Sequence, residues 1–311
     1  MKHIAILGGA GFIGSELAGL LQNKGYHAII ADQKKPDFQA EFRQTNILDR
    51  QSLKESLKGA DAIVHLAAMV GVDSCRSNEE DVIKVNFEGT KNVTEVCKEL
   101  GIKTLLFSSS SEVFGDSPDY PYTESSKKLP KSAYGKAKLK SEEYLREQAS
   151  NSLNVRVVRY FNVYGPKQRE DFVINKFFSL AESGAELPLY GDGGQIRCFS
   201  YISDIVNGTY LALLHKGSVF EDFNIGNNMP ISIKGLAEKI NVMTGRKKEN
   251  YTFKKLGEDG VRGKDIEIFK RAPSIEKAKR MLGYAPKVHL DEGLRMIKVE
   301  RQKQKQKLPL S

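Results

Sequence analysis

The chain has 311 residues, 40% of them hydrophobic and 28% charged, with three cysteines and a formal net charge of +9. This composition predicts a folded protein of one large or two modest domains with ample material for a core. No apolar run approaches the roughly 20 residues that span a bilayer, so we expect no membrane partner. Three unpatterned cysteines exclude a disulfide framework and a zinc cluster. Together with an N-terminus that enters a strand directly, they predict a cytoplasmic protein.

The positive charge is concentrated near the C-terminus. Residues 298–311 carry five basic side chains against one acidic side chain, which accounts for +4 of the net charge. We interpret this stretch as a solvated, frayed helix end. No aromatic residues alternate with the basic ones, so we expect no nucleic-acid partner. The weakly basic remainder suits an anionic small-molecule substrate.

An apolar strand pattern at Ile4–Leu7 leads into Gly8-x-x-Gly11-x-x-Gly14 and then a helix pattern. Such a turn directs backbone N–H groups and the positive end of a helix dipole at one point, which suits a dinucleotide pyrophosphate. Gly8 permits the tight turn, Gly11 the approach of the phosphates, and Gly14 close helix–strand packing. Asp32 ends the next strand, where an acidic side chain holds the adenosine ribose and favours NAD over NADP. The alternative is a glycine-rich turn without a ligand.

The first half of the chain alternates strand and helix patterns. Strands are predicted at Ile4–Leu7, Ala28–Ala31, Ala62–Leu66, Thr104–Ser108 and Asn154–Tyr160. Helices are predicted at Phe12–Lys24, Ser52–Lys58, Glu79–Leu100 and Ala133–Ala149, with Asp49 and Ser132 as N-caps. This alternation predicts an α/β fold, a Rossmann-type doubly wound parallel sheet with helices on both faces.

After residue 160, proline and glycine divide the chain into shorter pieces. Helices are predicted at Phe172–Ser183, Ile202–His215, Ile233–Met243 and Ser274–Leu282. We interpret this part as a smaller C-terminal α/β substrate lobe over the carboxyl ends of the first sheet, where open α/β folds bind ligands. The predicted organisation is a dinucleotide-binding domain over 1–165, a substrate lobe over 166–297 and a basic tail over 298–311.

Tyr134 and Lys138 lie near the start of a predicted helix, four residues apart and therefore on one face. An ammonium beside a phenol stabilises the phenolate, so that the phenol can take a proton from a substrate hydroxyl. Upstream, the strand at Thr104–Ser108 ends in a run of serines, which places a hydroxyl at the mouth of the predicted crevice. The alternatives are an ordinary surface Tyr/Lys pair and a serine-rich loop.

Further motifs occur in a fixed order up to about residue 295. They are His65-Leu66-Ala67-Ala68, Val85-Asn86-x-x-Gly89-Thr90, Ser110, Tyr134-x-x-x-Lys138, Arg159-Tyr160-Phe161-Asn162-Val163-Tyr164-Gly165-Pro166 and Tyr190-Gly191-Asp192-Gly193-x-x-Arg197-x-Phe199-x-Tyr201-Ile202-x-Asp204. With the glycine turn and Asp32, this set resembles the extended short-chain dehydrogenase/reductase family, the nucleotide-sugar epimerases, dehydratases and decarboxylases.

The resemblance implies an NAD-dependent enzyme that acts on a nucleotide sugar. Tyr134 would be the acid/base at the sugar C4 hydroxyl, Lys138 would hold the nicotinamide ribose, and Ser110 would bond the same hydroxyl. The implied cofactor-binding residues are Gly8, Gly11, Phe12, Ile13, Gly14, Asp32, Asn46, Ile47, Leu66, Ala67, Ala68, Ser108, Tyr134 and Lys138. The implied substrate-binding residues are Asn162, Lys176, Tyr190, Arg197 and Arg262. Relatives more often have Asp at the position of Asn46, and a homodimer through Glu79–Leu100 and Ala133–Ala149 is also implied.

Members of the family oxidise C4 of the sugar, and the other groups present decide the subsequent reaction. Ser110-Ser111-Glu112 resembles the Thr-Ser-Glu or Thr-Asp-Glu cluster of 4,6-dehydratases and UDP-uronate decarboxylases. Ser111 departs from the dTDP-glucose type of dehydratase, which has Asp there. We therefore expect a dehydratase or decarboxylase, with Glu112 as a catalytic residue, acting on a UDP-sugar. A UDP-hexose 4-epimerase and a non-catalytic NAD-binding regulatory protein are the alternatives.

Overall fold

The computed structural model describes residues 1–70, 78–258, 263 and 266–307. At its centre is a seven-stranded parallel sheet. Its strands are β1 (His3–Leu7), β2 (His27–Asp32), β3 (Glu41–Gln44), β4 (Ala62–His65), β5 (Thr104–Ser110), β6 (Asn154–Tyr160) and β11 (Phe220–Ile225), in the order β3-β2-β1-β4-β5-β6-β11. The strand order reverses between β1 and β4, which is where such sheets bind dinucleotides.

Helices cover both faces of this sheet, as predicted. They are α1 (Phe12–Asn23), α2 (Arg50–Leu57), α3 (Glu79–Ile83), α4 (Gly89–Glu99), α5 (Ala133–Gln148), α7 (Ile202–Leu214) and α9 (Glu276–Leu282). A π-helical turn at Lys84–Glu88 joins α3 to α4. In β1, Ile4 and Ile6 join the core under α1 and α7, whereas Ala5 and Leu7 join the core under α2, α4 and α5. The strand is apolar at every one of these positions because both faces are buried.

The second lobe is built from short strands and three helices. They are β7 (Val163–Tyr164), α6 (Val173–Ser183), β8 (Leu187–Tyr190), β9 (Ile196–Arg197), β10 (Ser200–Tyr201), β12 (Ile231–Ser232), α8 (Ile233–Met243), β13 (Tyr251–Lys254), β14 (Lys270–Arg271) and α10 (Leu290–Lys307). The strands pair as β7 with β10, β8 with β13, and β9 with both β12 and β14. A separate apolar core, which includes Phe177, Leu236 and Leu294, holds the helices against these strands.

The two predicted N-caps are confirmed. Asp49 accepts hydrogen bonds from the N–H groups of Gln51 and Ser52 at the start of α2. Ser132 accepts one from the N–H of Gly135 at the start of α5, which fixes the first turn of the catalytic helix. The polar strand β3 was not predicted, because its sequence Glu-Phe-Arg-Gln has no buried run.

The chain returns to the central sheet after residue 165. Helix α7 packs on α1, and β11 pairs with β6 along its whole length. Residues 202–225, which the sequence placed in the substrate lobe, therefore complete the dinucleotide-binding sheet. Glu221 and Asp222 interrupt the apolar pattern of β11, which is why the strand was not predicted.

The basic C-terminal segment is docked over most of its described length. Arg301 pairs with Glu170 and Glu182 of the second lobe, and Lys305 also pairs with Glu182. Lys298 donates to the carbonyl of Met243. The expected frayed end is therefore wrong for residues 298–305, because acidic side chains near α6 meet the basic ones. Among the described helices, none combines the length and the apolarity that crossing a membrane requires.

Candidate active site

The glycine turn after β1 is closed too tightly for side chains. Gly8 has φ +79°, and a Cβ there would lie 2.7 Å from the backbone nitrogen of Ala67. A Cβ on Gly14 would lie 2.4 Å from the carbonyl oxygen of Gly8. Gly11 differs, because a Cβ there would meet only that same oxygen at 3.2 Å. Gly8 and Gly14 are thus needed for packing, while a bare Gly11 leaves the start of α1, at Phe12 and Ile13, open to a phosphate.

The carboxylate of Asp32 is fixed beside this turn at the end of β2. It accepts hydrogen bonds from the N–H of Ala10, 3.0 Å away, and from the N–H of Lys34, 3.1 Å away. Asn46 is also held, because its side-chain oxygen accepts from the N–H of Leu48 at 3.0 Å. A cradle without side chains and an ordered carboxylate one strand away fit the pyrophosphate and the adenosine ribose of NAD.

The wall of the crevice comes from the ends of β4 and β5. Leu66, Ala67 and Ala68 come directly after β4 and are half-buried, whereas Ile47 is buried. Ser108 is held by its hydroxyl, which donates to the carbonyl of His65 at 3.0 Å. Their role as the lining of a cofactor crevice stays a prediction.

Lys138 is buried at the centre of the site. Its Nζ donates to the carbonyl of Ser108 at 2.7 Å and lies 5.7 Å from the ring centroid of Tyr134 on the same helix. Burial lowers the pKa of Lys138 to about 7, although the nearby Glu142 carboxylate opposes the shift. Burial, with the charge of Lys138, lowers the pKa of His65 to about 3, so this imidazole is neutral at physiological pH. The lysine is thus the positive group nearest the phenol among these buried residues.

Glu112 is paired with a residue that sequence reasoning missed. Ser110 ends β5, and its hydroxyl oxygen accepts from the N–H of Glu112 at the start of a 3₁₀ turn. One carboxylate oxygen of Glu112 accepts from the hydroxyl of Ser132 at 3.1 Å, and the other lies 2.8 Å from the guanidinium of Arg271. Arg271 stands in a two-residue strand before Ala272, where no periodicity marks it.

The predicted substrate residues are spread over the second lobe. Asn162 has φ +36°, an unusual backbone conformation for a residue other than glycine and one that often marks functional sites. Arg197 is buried in an ion pair with Glu267 and is the register partner of Arg271 in neighbouring parallel strands. Tyr190 ends β8 and Lys176 is half-buried on α6. Arg262 lies outside the described residues.

A glycine turn of the dinucleotide-binding type, a tyrosine–lysine pair and a strand-end serine together define an NAD-dependent enzyme of the short-chain dehydrogenase type. The chain belongs to the NAD dependent epimerase/dehydratase family, whose sequence profile matches residues 4–226. This match confirms the predicted family, fold and cofactor.

Similar proteins include both lyases and isomerases. The chain is 34% identical to a UDP-N-acetyl-alpha-D-glucosaminuronate decarboxylase of Bacillus cytotoxicus, over 94% of this chain and 96% of the relative. It is 31% identical to a UDP-glucuronate 4-epimerase of Thermodesulfobacterium geofontis, over 95% and 94%. Among solved structures, MoeE5 in complex with UDP-glucuronic acid and NAD has a TM-score of 0.88 at 26% identity, covering 97% of this chain and 100% of that one. Family membership therefore leaves lyase and isomerase chemistry both open.

Proposed function

We propose that the protein is an NAD-dependent decarboxylase of a UDP-linked uronic acid. The observation that carries the proposal is the ion pair between Glu112 and Arg271, which lies next to Ser110 at the end of β5. The similarity to a UDP-sugar uronate decarboxylase over nearly the full length of both chains supports the nucleotide and the sugar acid.

The first step is the oxidation of C4 of the sugar, and it involves Ser110, Tyr134 and Lys138. The hydroxyl of Ser110 hydrogen-bonds the C4 hydroxyl of the sugar, and the phenolate of Tyr134 takes its proton. The ammonium of Lys138 stabilises that phenolate and hydrogen-bonds the nicotinamide ribose. The Gly8 turn and Asp32 would hold NAD, whose chemistry here would be reversible hydride exchange with C4.

The second step distinguishes decarboxylation from dehydration. A dehydratase needs a free carboxylate to remove the C5 proton, and both oxygens of Glu112 are already engaged by Ser132 and Arg271. A sugar with a C4 ketone and a C6 carboxylate is a β-keto acid, which loses carbon dioxide without a base. A proton from water then takes the place of the carboxylate at C5. Arg271 supplies a planar guanidinium that can exchange the carboxylate of Glu112 for that of the substrate.

The direct test is to incubate the enzyme with UDP-glucuronate, UDP-N-acetylglucosaminuronate and UDP-glucose and to weigh the products. We expect one of the two uronates to lose the mass of carbon dioxide. Arg271→Gln should remove this activity, whereas the same change at the exposed Arg280 should leave it intact. Loss of water from UDP-glucose would overturn the proposal in favour of a dehydratase.

A 4-epimerase acting on the same sugar acids is the second candidate. Arg271 would then hold the C6 carboxylate in both orientations of the sugar, and similarity to a UDP-glucuronate 4-epimerase favours this alternative. The mass would stay unchanged, and proton NMR would show the C4 configuration inverted. Inversion without carbon dioxide release would replace the decarboxylase proposal by this one.

We also propose that two copies of the chain associate through the helices around α4 and α5. Phe87 in the π-helical turn meets Tyr144 of α5 edge to face, with ring centroids 6.1 Å apart. Lys91 and Lys140 lie over the Phe87 ring. In the proposed interface, the rings of Phe87 and Tyr144 would supply apolar surface, and these lysines would surround it with charge. Sedimentation equilibrium should give twice the chain mass, and Tyr144→Glu should reduce it to one chain. A single-chain mass for the unmodified protein would refute the dimer.

A further inference from the structure

A group of charged and largely buried side chains joins α5, the helix that carries Tyr134 and Lys138, to the strands β6 and β11. Tyr134, Lys138 and Glu142 succeed one another at four-residue spacing along the inner face of α5. The side chain of Glu142 is 5% exposed and that of Arg159, opposite it on β6, is fully buried. Two ionised side chains in such a place are costly unless each is held by partners.

Glu142 and Arg159 meet through a two-point contact. Nε of Arg159 donates to one carboxylate oxygen at 2.9 Å, and its Nη2 donates to the other at 2.6 Å. The hydroxyl of Ser109, the neighbour of Ser110 on β5, donates to the first of these oxygens. The carboxylate of Glu142 therefore joins the catalytic helix to the strand that carries the catalytic serine.

The guanidinium of Arg159 also binds a second acid from the edge strand. Its Nη2 lies 2.8 Å from the carboxylate of Asp222 on β11. Lys277 of α9 approaches the other oxygen of Asp222 at 3.0 Å. Burial alone would raise the pKa of Asp222, but the charges of Arg159 and Lys277 outweigh it and lower the pKa. Negative and positive side chains thus alternate along a line from α5 to α9, in the order Glu142, Arg159, Asp222 and Lys277, of which only Lys277 is partly exposed.

Other charged side chains lie near this line of charges and interact with its members. They are Glu124 and Lys128 from the segment before α5, Arg146 of α5, and Glu221 of β11. Arg146 is 61% exposed and 3.6 Å from Asp222, so solvent screens it more than the inner four.

The charge state of Lys138 depends on Glu142, which is the residue of this line of charges next to it on α5. Lys138 is 1% exposed and is faced by neutral His65, by the Phe107 ring 4.5 Å away, and by the carbonyl of Ser108. Among the acidic side chains that the structure describes, Glu142 is the one whose charge acts on Lys138, and this charge opposes the effect of burial. An uncharged amine in this position would stabilise the phenolate of Tyr134 far less.

We propose that Glu142, held by Arg159, is a positioning residue that keeps Lys138 in its charged form beside Tyr134. Arg159 orients the carboxylate, and because Asp222 shares the positive charge of Arg159, this guanidinium does not fully neutralise Glu142. This inference goes beyond the proposed decarboxylase, because every reaction that begins with proton removal by Tyr134 needs the same ammonium.

The test compares Glu142→Gln with Glu143→Gln. Both variants lose one carboxylate and keep its shape, but Glu143 is exposed whereas Glu142 is buried. The readout is the near-ultraviolet absorbance of the Tyr134 phenolate during a pH titration of the NAD-loaded enzyme, with Tyr134→Phe subtracted. We expect the Glu142 variant to move the midpoint about one pH unit upward, equivalent to a tenfold change in the phenolate equilibrium, and the Glu143 variant to leave it in place.

No sugar is present in this titration, so its result is independent of the reaction proposed above. In turnover assays, the Glu142 variant should lose about tenfold at neutral pH and recover at alkaline pH. A uniform loss at every pH, with an unmoved midpoint, would mean a structural role only and would overturn the inference.

Asp222→Asn provides a second test if the Glu142 variant fails to fold. Without Asp222, the positive charge of Arg159 is balanced by Glu142 alone. Glu142 then stabilises the charged form of Lys138 less. The midpoint should move in the same upward direction by a smaller amount. A downward move, or none, would contradict the proposed line of charges.

Discussion

The two sides of the active site are built in different ways. On the catalytic side, Ser110 comes from β5, and Tyr134 and Lys138 come from α5, the next α-helix along the chain, which packs on β5. On the substrate side, Arg197 and Arg271 are far apart in sequence and become neighbours only where β9 pairs with β14. The ion pair of Glu112 with Arg271 joins the two sides. Under the proposed function, proton transfer would depend on local spacing in the sequence, and substrate choice would depend on the pairing of distant strands.

The largest effect should come from the catalytic side. Tyr134→Phe removes the proton acceptor and should lower turnover by about 10²–10⁴-fold. NAD affinity should change little, because the ring and Lys138 are retained. Stopped-flow turnover and calorimetric NAD titration measure the two quantities. Tyr144→Phe, on the same helix, is the control and should be fully active; near-normal turnover of the Tyr134 variant would place the base elsewhere.

Cofactor choice is the next test, and it also concerns the first sheet. Asp32→Ala removes the carboxylate that repels a 2′-phosphate and should narrow the preference for NAD over NADP by about ten- to a hundredfold, which corresponds to the roughly 1.5–3 kcal/mol of a hydrogen bond to a charged group. Binding constants for both dinucleotides give the ratio. Tighter NADP binding by the unmodified protein would contradict the assignment of Asp32.

Glu112→Gln tests the junction between the two sides. The amide keeps the size and cannot act as a base, so a decarboxylase should lose only about tenfold, which is about 1.4 kcal/mol. A dehydratase would instead oxidise the sugar, stall, and accumulate enzyme-bound NADH. Near-ultraviolet absorbance during a single turnover distinguishes the two. Unchanged turnover would favour the epimerase.

The last effect is on stability and not on turnover, and it concerns the burial of His65 on the catalytic side. His65 is neutral when folded, with a pKa of about 3 against 6.5 for a solvated histidine. As the pH falls, His65 takes up a proton in the unfolded chain before it does so in the folded chain. The free energy of unfolding should therefore fall between pH 6.5 and 3, by up to about 1.4 kcal/mol per pH unit. Urea unfolding at several pH values measures this. His65→Gln should flatten the dependence, and the exposed His289→Gln should not.

The contrast also explains how much the sequence can predict. The Gly8 turn, the cap at Ser132 and the four-residue spacing of Tyr134 and Lys138 are local features, and each lies where it was predicted. The partner of Glu112 was missed, because Arg271 reaches it through a fold-dependent pairing of short strands with no periodic pattern. Asp222 was missed for a related reason, since a charged residue within a buried strand resembles a loop.

The return of β11 to the first sheet limits how the protein can be divided or recombined. A fragment ending at residue 165 would lack the neighbour of β6 and the helix that covers α1, so it would expose an unpaired edge and an apolar face. Substrate lobes exchanged between relatives would therefore need two junctions on either side of 202–225, and a single crossover would separate a strand from its own sheet.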